Sequence, residues 1–178
     1  YSSRKKTGME YSLSTNTDIY LYDLASEQTR NITEGMGGYD THPRFSPDGK
    51  RISWISMERD GYEADLTRLF VQDLKTGQKT FLTDGFEYDV DELQWSANSQ
   101  SIFFLSTKHA EAQLWEIALK GRKIRQITTG MHDYTSLDVQ GGKILAGRES
   151  YIAPTDLSLV DVKTGVAKQL TAENKSTL

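Results

Sequence analysis

Apolar and polar residues alternate with a period of two along most of this chain, the spacing of strands whose successive side chains point to opposite faces. No long stretch carries helical periodicity. The alternating runs come in groups. The clearest pair is Phe45-Ser46-Pro47-Asp48-Gly49-Lys50-Arg51-Ile52-Ser53-Trp54, echoed by Trp95–Phe104 and more weakly by Leu137–Ala146. In the first of these the proline presets φ and the glycine supplies a positive φ, so the turn joins two antiparallel strands. Each group closes on a threonine phrase: Asn31-Ile32-Thr33, Phe81-Leu82-Thr83, Gln126-Ile127-Thr128 and Gln169-Leu170-Thr171. The threonines stand 50, 45 and 43 residues apart. Recurrence in that range marks a repeat architecture, and four short strands per repeat predict propeller blades.

The predicted fold is therefore all-β, a β-propeller segment of four-stranded antiparallel blades, about three and a half of them, in an incomplete ring. With strands lettered a to d in each blade, the second blade reads Thr41–Ser46, Arg51–Ser56, Arg68–Leu74 and Gln78–Thr83. The third reads Glu92–Ser96, Ser101–Ser106, Gln113–Ala118 and Lys123–Thr128, and the fourth Tyr134–Val139, Lys143–Arg148, Asp156–Asp161 and Val166–Thr171. The first retains only c (Asp18–Leu24) and d (Thr29–Thr33), behind a polar loop from Ser2 to Thr17. The divisions are a half blade over 1–34, blades over 35–84, 85–129 and 130–171, and a lead into a further blade over 172–178. The opening Tyr1-Ser2-Ser3 reads as a strand end, and the chain as part of something longer.

The pattern turns Phe45, Ile52, Trp54, Leu69, Val71, Phe81, Trp95, Ile102, Phe104, Leu114, Ile117 and Ile127 inward. The recurrent threonine is expected to be structural, its hydroxyl satisfying a nearby backbone group. Composition adds mainly exclusions. The 21 basic residues against 25 acidic ones offer no clustered positive charge for nucleic acid or an anionic membrane. Cysteine is absent, which removes disulfides, thiol catalysis and thiolate metal sites. His42, His109 and His132 lack metal-ligand spacing, and neither G-x-S-x-G nor a phosphate-binding glycine loop occurs. No cofactor is expected.

Antiparallel winding puts the b–c and d–a loops on one face, where binding chemistry concentrates. One b–c loop breaks the repeat. Met57-Glu58-Arg59-Asp60-Gly61-Tyr62-Glu63-Ala64-Asp65 holds four acids, an arginine and a tyrosine. Glu58, Arg59, Asp60, Tyr62 and Glu63 are its candidate binding residues, with carboxylates suited to an ammonium group or a partner's arginine. Alternatively Arg59 pairs with Asp60 or Glu63 and the loop merely stays soluble. The d–a loops repeat an acid beside a tyrosine (Tyr39-Asp40, Tyr88-Asp89, Asp133-Tyr134), which favours a blade-to-blade hydrogen bond over a unique site.

The phrase [FW]-S-P-D-G-[KR] with D-L-x-x-G and L-T-x-G resembles the blades of TolB-like propellers and of the prolyl oligopeptidase family. Ser14-Thr15-Asn16-Thr17-Asp18-Ile19-Tyr20 and Ser56–Glu63 are similar to the propellers of bacterial dipeptidyl and acylaminoacyl peptidases. The resemblance implies a non-catalytic propeller segment of a serine exopeptidase. Such a segment gates and helps bind peptide substrate for a C-terminal α/β-hydrolase domain outside this chain. It also implies a periplasmic or secreted parent, and Glu58, Asp60 or Glu63 as acceptors of the substrate's free α-amine. The alternative is a TolB-like platform for protein interaction, and a weaker third is a propeller enzyme in its own right. Exposed blade edges leave self-association open.

Overall fold

The structure is a computed structural model, and it describes residues 1–173. Most of the lead into a further blade lies outside the described residues. The chain divides into two compact units: Tyr1–Phe45 with Gly49–Glu87, and Tyr88 onward with the turn residues Ser46–Asp48.

The first unit holds two antiparallel sheets. One has three strands, β1 (Ser2–Ser3), β2 (Asp18–Tyr22) and β3 (Thr29–Asn31), in sequence order. The segment read as a polar loop carries β1 and a five-residue helix, α1 (Met9–Leu13). The other sheet is β4 (Asp40–Phe45), β5 (Arg51–Ser56), β6 (Arg68–Asp73) and β7 (Lys79–Phe81). Ile19 and Ile32 of the first sheet pack on Ile52 and Trp54 of the second. Trp54, Phe70 and Phe81 stack across β5, β6 and β7 with centroids 5.7 and 5.0 Å apart, the cross-strand contact that pins register.

The second unit repeats the plan. Its four-stranded sheet is β8 (Leu93–Trp95), β9 (Ser101–Lys108), β10 (Glu111–Ala118) and β11 (Ile124–Gln126). Its last sheet has five strands: β12 (Asp133–Tyr134), β13 (Asp138–Gln140), β14 (Lys143–Ser150), β15 (Ala153–Asp161) and β16 (Ala167–Gln169). The strand expected over Tyr134–Val139 is split, with both halves pairing to β14. Gly147 is the cause: a side chain there would meet the Thr135 hydroxyl at 2.5 Å, and Thr135 and Ser136 bond its backbone. Phe103, Leu114 and Ile127 pack against Tyr134, Ile144 and Val160.

Strands β5 and β9 are buried along nearly their whole length, not on alternate residues. Ile55, Phe103 and Leu105, which alternation turns outward, are as buried as their neighbours. Phe45 is the opposite correction. It sits across from Ile52, yet its ring is 53% exposed, because the first sheet lacks the innermost strand that would cover it. Phe81 is only half-buried.

The threonine repeat has one physical meaning. Thr33, Thr83, Thr128 and Thr171 each accept the N–H of the residue fourteen positions upstream: Ile19, Leu69, Leu114 and Leu157, at 2.9 to 3.0 Å. Each hydroxyl ties strand d to strand c where the backbone ladder ends. The c–d turns of three of the four sheets are built alike. Asp23, Asp73 and Asp161 accept the N–H groups of the second and third residues beyond them. Gly77 and Gly165 then take the left-handed conformation (φ 74° and 71°), a place filled in the first sheet by Glu27 at φ 55°.

One buried carboxyl stands out among the polar groups that lack partners. Asp40 is wholly buried, its N–H bonded to the Thr17 carbonyl at 2.9 Å, and neither carboxyl oxygen has a well-formed hydrogen bond. Burial pushes its pKa up to about 6, against the pull of the Ser56 and Thr33 hydroxyls and with Asp18 adding to the rise. A carboxyl whose folded pKa lies above its ordinary 3.8 contributes stability that is complete below that value and lost as pH climbs through about 6. Asp40→Asn, neutral throughout, is expected to gain on the natural chain by up to roughly 3 kcal/mol between about pH 4 and pH 7, read from urea unfolding. A constant difference across that range would refute the assignment. Thr83→Val, which strands the buried Leu69 N–H, is expected to cost about 1–3 kcal/mol in the same assay. Thr171→Val, at a more exposed position, is expected to cost less.

Candidate functional site

The acidic loop leaves β5 at Ser56 and lies against two other segments of the same unit. Its first contact is with the d–a loop before β4. The Met57 N–H donates to the Tyr39 carbonyl at 2.9 Å, and the Met57 carbonyl passes so close to Gly38 that a Cβ there would sit 2.6 Å from it. Only glycine permits that approach.

The second contact is with Ser14-Thr15-Asn16. The Asp60 carboxylate accepts the Ser14 hydroxyl at 2.7 Å and the Thr15 and Asn16 N–H groups at 2.7 and 3.1 Å. Lys6 adds its ammonium at 3.6 Å, and the Gly61 N–H returns to the Thr15 hydroxyl at 2.8 Å. The Ser14 hydroxyl foremost, with those amides and Lys6, holds the Asp60 pKa down to about 2. The two stretches that carry the peptidase resemblance outside the repeat are thus one substructure.

Within the loop, Arg59 pairs with Asp65, neither Asp60 nor Glu63. Its guanidinium and backbone N–H both reach that carboxylate, and its plane lies 3.8 Å from the Tyr62 ring centroid. The hydrogen bonds raise the Arg59 pKa and lower that of Asp65. Glu58 meets Arg68 at 3.4 Å while its side chain stays mostly in solvent. Glu63 accepts the Tyr39 hydroxyl at 3.2 Å on an exposed face.

This sorts the five candidates by chemistry. Asp60 and Arg59 spend their hydrogen-bonding capacity holding the loop, and Tyr62 forms its stacked, half-exposed wall. Glu58 and Glu63 each keep carboxylate capacity turned to solvent. Tyr39, Ser14, Thr15 and Asp65 are site residues that sequence reasoning missed. The Gly37-Gly38 pair before Tyr39 was the available signal, since adjacent glycines announce a close backbone approach. The tyrosine–acid repeat divides: Asp133 makes the blade-to-blade bond, accepting the Ala112 N–H at 2.7 Å, whereas Tyr39 serves the acidic loop. In the third and fourth sheets the b–c connection is a two-residue turn, His109-Ala110 or Tyr151-Ile152.

The family model described as TolB beta propeller domain matches residues 14–177. The chain belongs to that family. Among curated proteins, this TolB-type propeller is 60% identical over all 178 residues to dipeptidyl-peptidase 5 of Porphyromonas gingivalis, and 58% identical to that of Porphyromonas endodontalis. It spans 26% of the length of each. Among solved structures, acylaminoacyl peptidase of Pyrococcus horikoshii superposes with a TM-score of 0.71 at 20% identity, over 90% of this chain and 24% of that one. TolB of Acinetobacter baumannii superposes at 0.66 with 22% identity, over 87% and 38%. These structural likenesses show the propeller fold.

Asp60→Asn removes the charge that gathers the Ser14–Asn16 amides. Hydrogen exchange is expected to accelerate together at Thr15, Asn16 and Gly61, while the amides of β9 stay unchanged. The bonds of the natural loop are kept above the ordinary carboxylate range and lost as pH falls through about 2, because the folded pKa is depressed. Acceleration confined to Gly61 would mean that the two segments are held by something else.

Proposed function

We propose that this chain is the non-catalytic propeller segment of a serine exopeptidase, acting on peptides together with an α/β-hydrolase domain outside it. The observation that carries the reading is the 60% identity to a dipeptidyl-peptidase 5 over the chain's whole length. The residues agree with it. The chain has no G-x-S-x-G nucleophile phrase, and its one repeat-breaking loop presents acids in place of a catalytic constellation.

In this reading the loop is an amine acceptor. An ammonium group has three donors and needs acceptors in fixed positions. Glu63, steadied by the Tyr39 hydroxyl, and Glu58, steadied by Arg68, supply carboxylate oxygens that the loop does not consume. Asp60 contributes by position, anchoring the loop to Ser14–Asn16. The Arg59–Tyr62 stack forms the adjoining wall.

In the full-length parent, Glu63→Gln is expected to raise KM about tenfold for substrates with a free amine and to leave amine-blocked ones near their natural values. An equal effect on both would return the loop to a solubilising role. The 178-residue chain alone is expected to hydrolyse neither. Robust turnover by it would sink the non-catalytic reading.

A further inference from the structure

The fourth sheet carries a cavity and a cluster of charges that use none of the acidic loop's residues. The β14–β15 hairpin ends in Tyr151 and Ile152, both fully open to solvent. Beside it lies a cavity of about 220 Å³ lined by Met131, His132, Arg148, Glu149, Pro154 and Asp156, among others. That volume falls below the ~300–1,000 Å³ typical of drug-sized ligands and suits something smaller.

The charges around it are arranged unusually. Arg148 and Asp156 are direct partners on neighbouring antiparallel strands, the placement in which opposite charges normally close an ion pair. Here they do not. The Arg148 guanidinium donates through Nη2 to His132 Nδ1 at 3.3 Å, and among the described residues no carboxylate lies within ion-pair reach of it. Asp156 is engaged elsewhere, accepting the Thr171 hydroxyl at 2.7 Å, the Gln169 amide at 3.1 Å and the Glu173 N–H at 3.4 Å. Glu149 accepts the Thr155 hydroxyl. A register shift between Arg148 and Ser150 interrupts the pairing at Glu149, the kind of bulge that re-aims side chains beside functional sites.

Two donors are left over. Because arginine can only donate, His132 Nδ1 must accept, which puts the imidazole proton on Nε2. Neither Nε2 of His132 nor Nε of Arg148 has a hydrogen-bond partner, and both are shut from water. A half-buried guanidinium without an anion is costly, and an arriving acceptor relieves that cost. A simple anion would also meet Glu149 and Asp156, and a simple cation would meet Arg148. A molecule carrying both charges satisfies each wall, with Met131 and Pro154 against its carbon skeleton.

The geometry points to a binding site for a small zwitterion, a free amino acid or short peptide, with its carboxylate on Arg148 and its ammonium on Glu149 and Asp156. The site stands independently of the amine-acceptor role given to the acidic loop. The test is calorimetric titration of the 178-residue chain with alanine, alanyl-alanine, N-acetylalanine and alaninamide. At least one zwitterion is expected to bind at least about tenfold more tightly than both singly charged analogues, and which one binds identifies the source. Arg148→Gln and Glu149→Gln, checked for folding by circular dichroism, are each expected to lower that affinity about tenfold. Absence of binding by both zwitterions, equal binding of a blocked analogue, or full affinity in a folded Arg148→Gln or Glu149→Gln chain overturns the assignment.

Discussion

A four-stranded antiparallel sheet made largely of apolar residues has two faces to cover and no means of covering either alone. That constraint organises the chain. The middle strands β5 and β9 are buried along nearly their whole length, at positions that alternation turns outward as well as those it turns inward. Where a neighbour is incomplete, as beside Phe45, a large ring is left in water. The fourteen-residue threonine bond makes each sheet a unit worth stacking, since it closes the c–d pair where its ladder stops. A hydroxyl suffices, because the strand N–H there has no further strand to meet.

The same economy governs the acidic loop. Four carboxylates in nine residues would repel one another if all faced the same water. Two are instead consumed by structure. Asp60 is wrapped by backbone amides of another segment and Asp65 by Arg59, so the loop's shape is set by the acids it hides. The acids not consumed in this way are Glu58, beside Arg68, and Glu63, beside Tyr39. The hairpin of the fourth sheet works differently. It keeps one cation and two acids apart around a cavity by giving each a neutral partner.

The fold was legible because a repeat writes the same instruction several times. Pro47, Gly49, Gly77 and the four threonines each fix a local conformation that depends only on near neighbours in sequence. The candidate site was half legible. Met57–Asp65 stood out by breaking the repeat, but its internal pairing did not, since Arg59 had four acids within six residues and nothing in the order of residues chooses Asp65. Asp40 looked like one member of a recurring acid–tyrosine pair. In the structure it is a buried carboxyl with its titration displaced, and Tyr39 is bound to the loop.

The sequence by itself determined most of the strands, their tight turns and the place of the threonine that locks c to d, because the turns and that bond join residues at most fourteen positions apart. Tertiary structure decided which acids are spent and which are free. Asp60 meets Ser14 across forty-six residues and Glu63 meets Tyr39 across twenty-four, separations at which the pattern along the chain carries no distance information. It also decided that Arg148 and Asp156, opposite each other on paired strands, would take different partners. Hydrogen bonds to His132 and Thr171, from outside the two strands, outcompeted the pairing that their register alone invites.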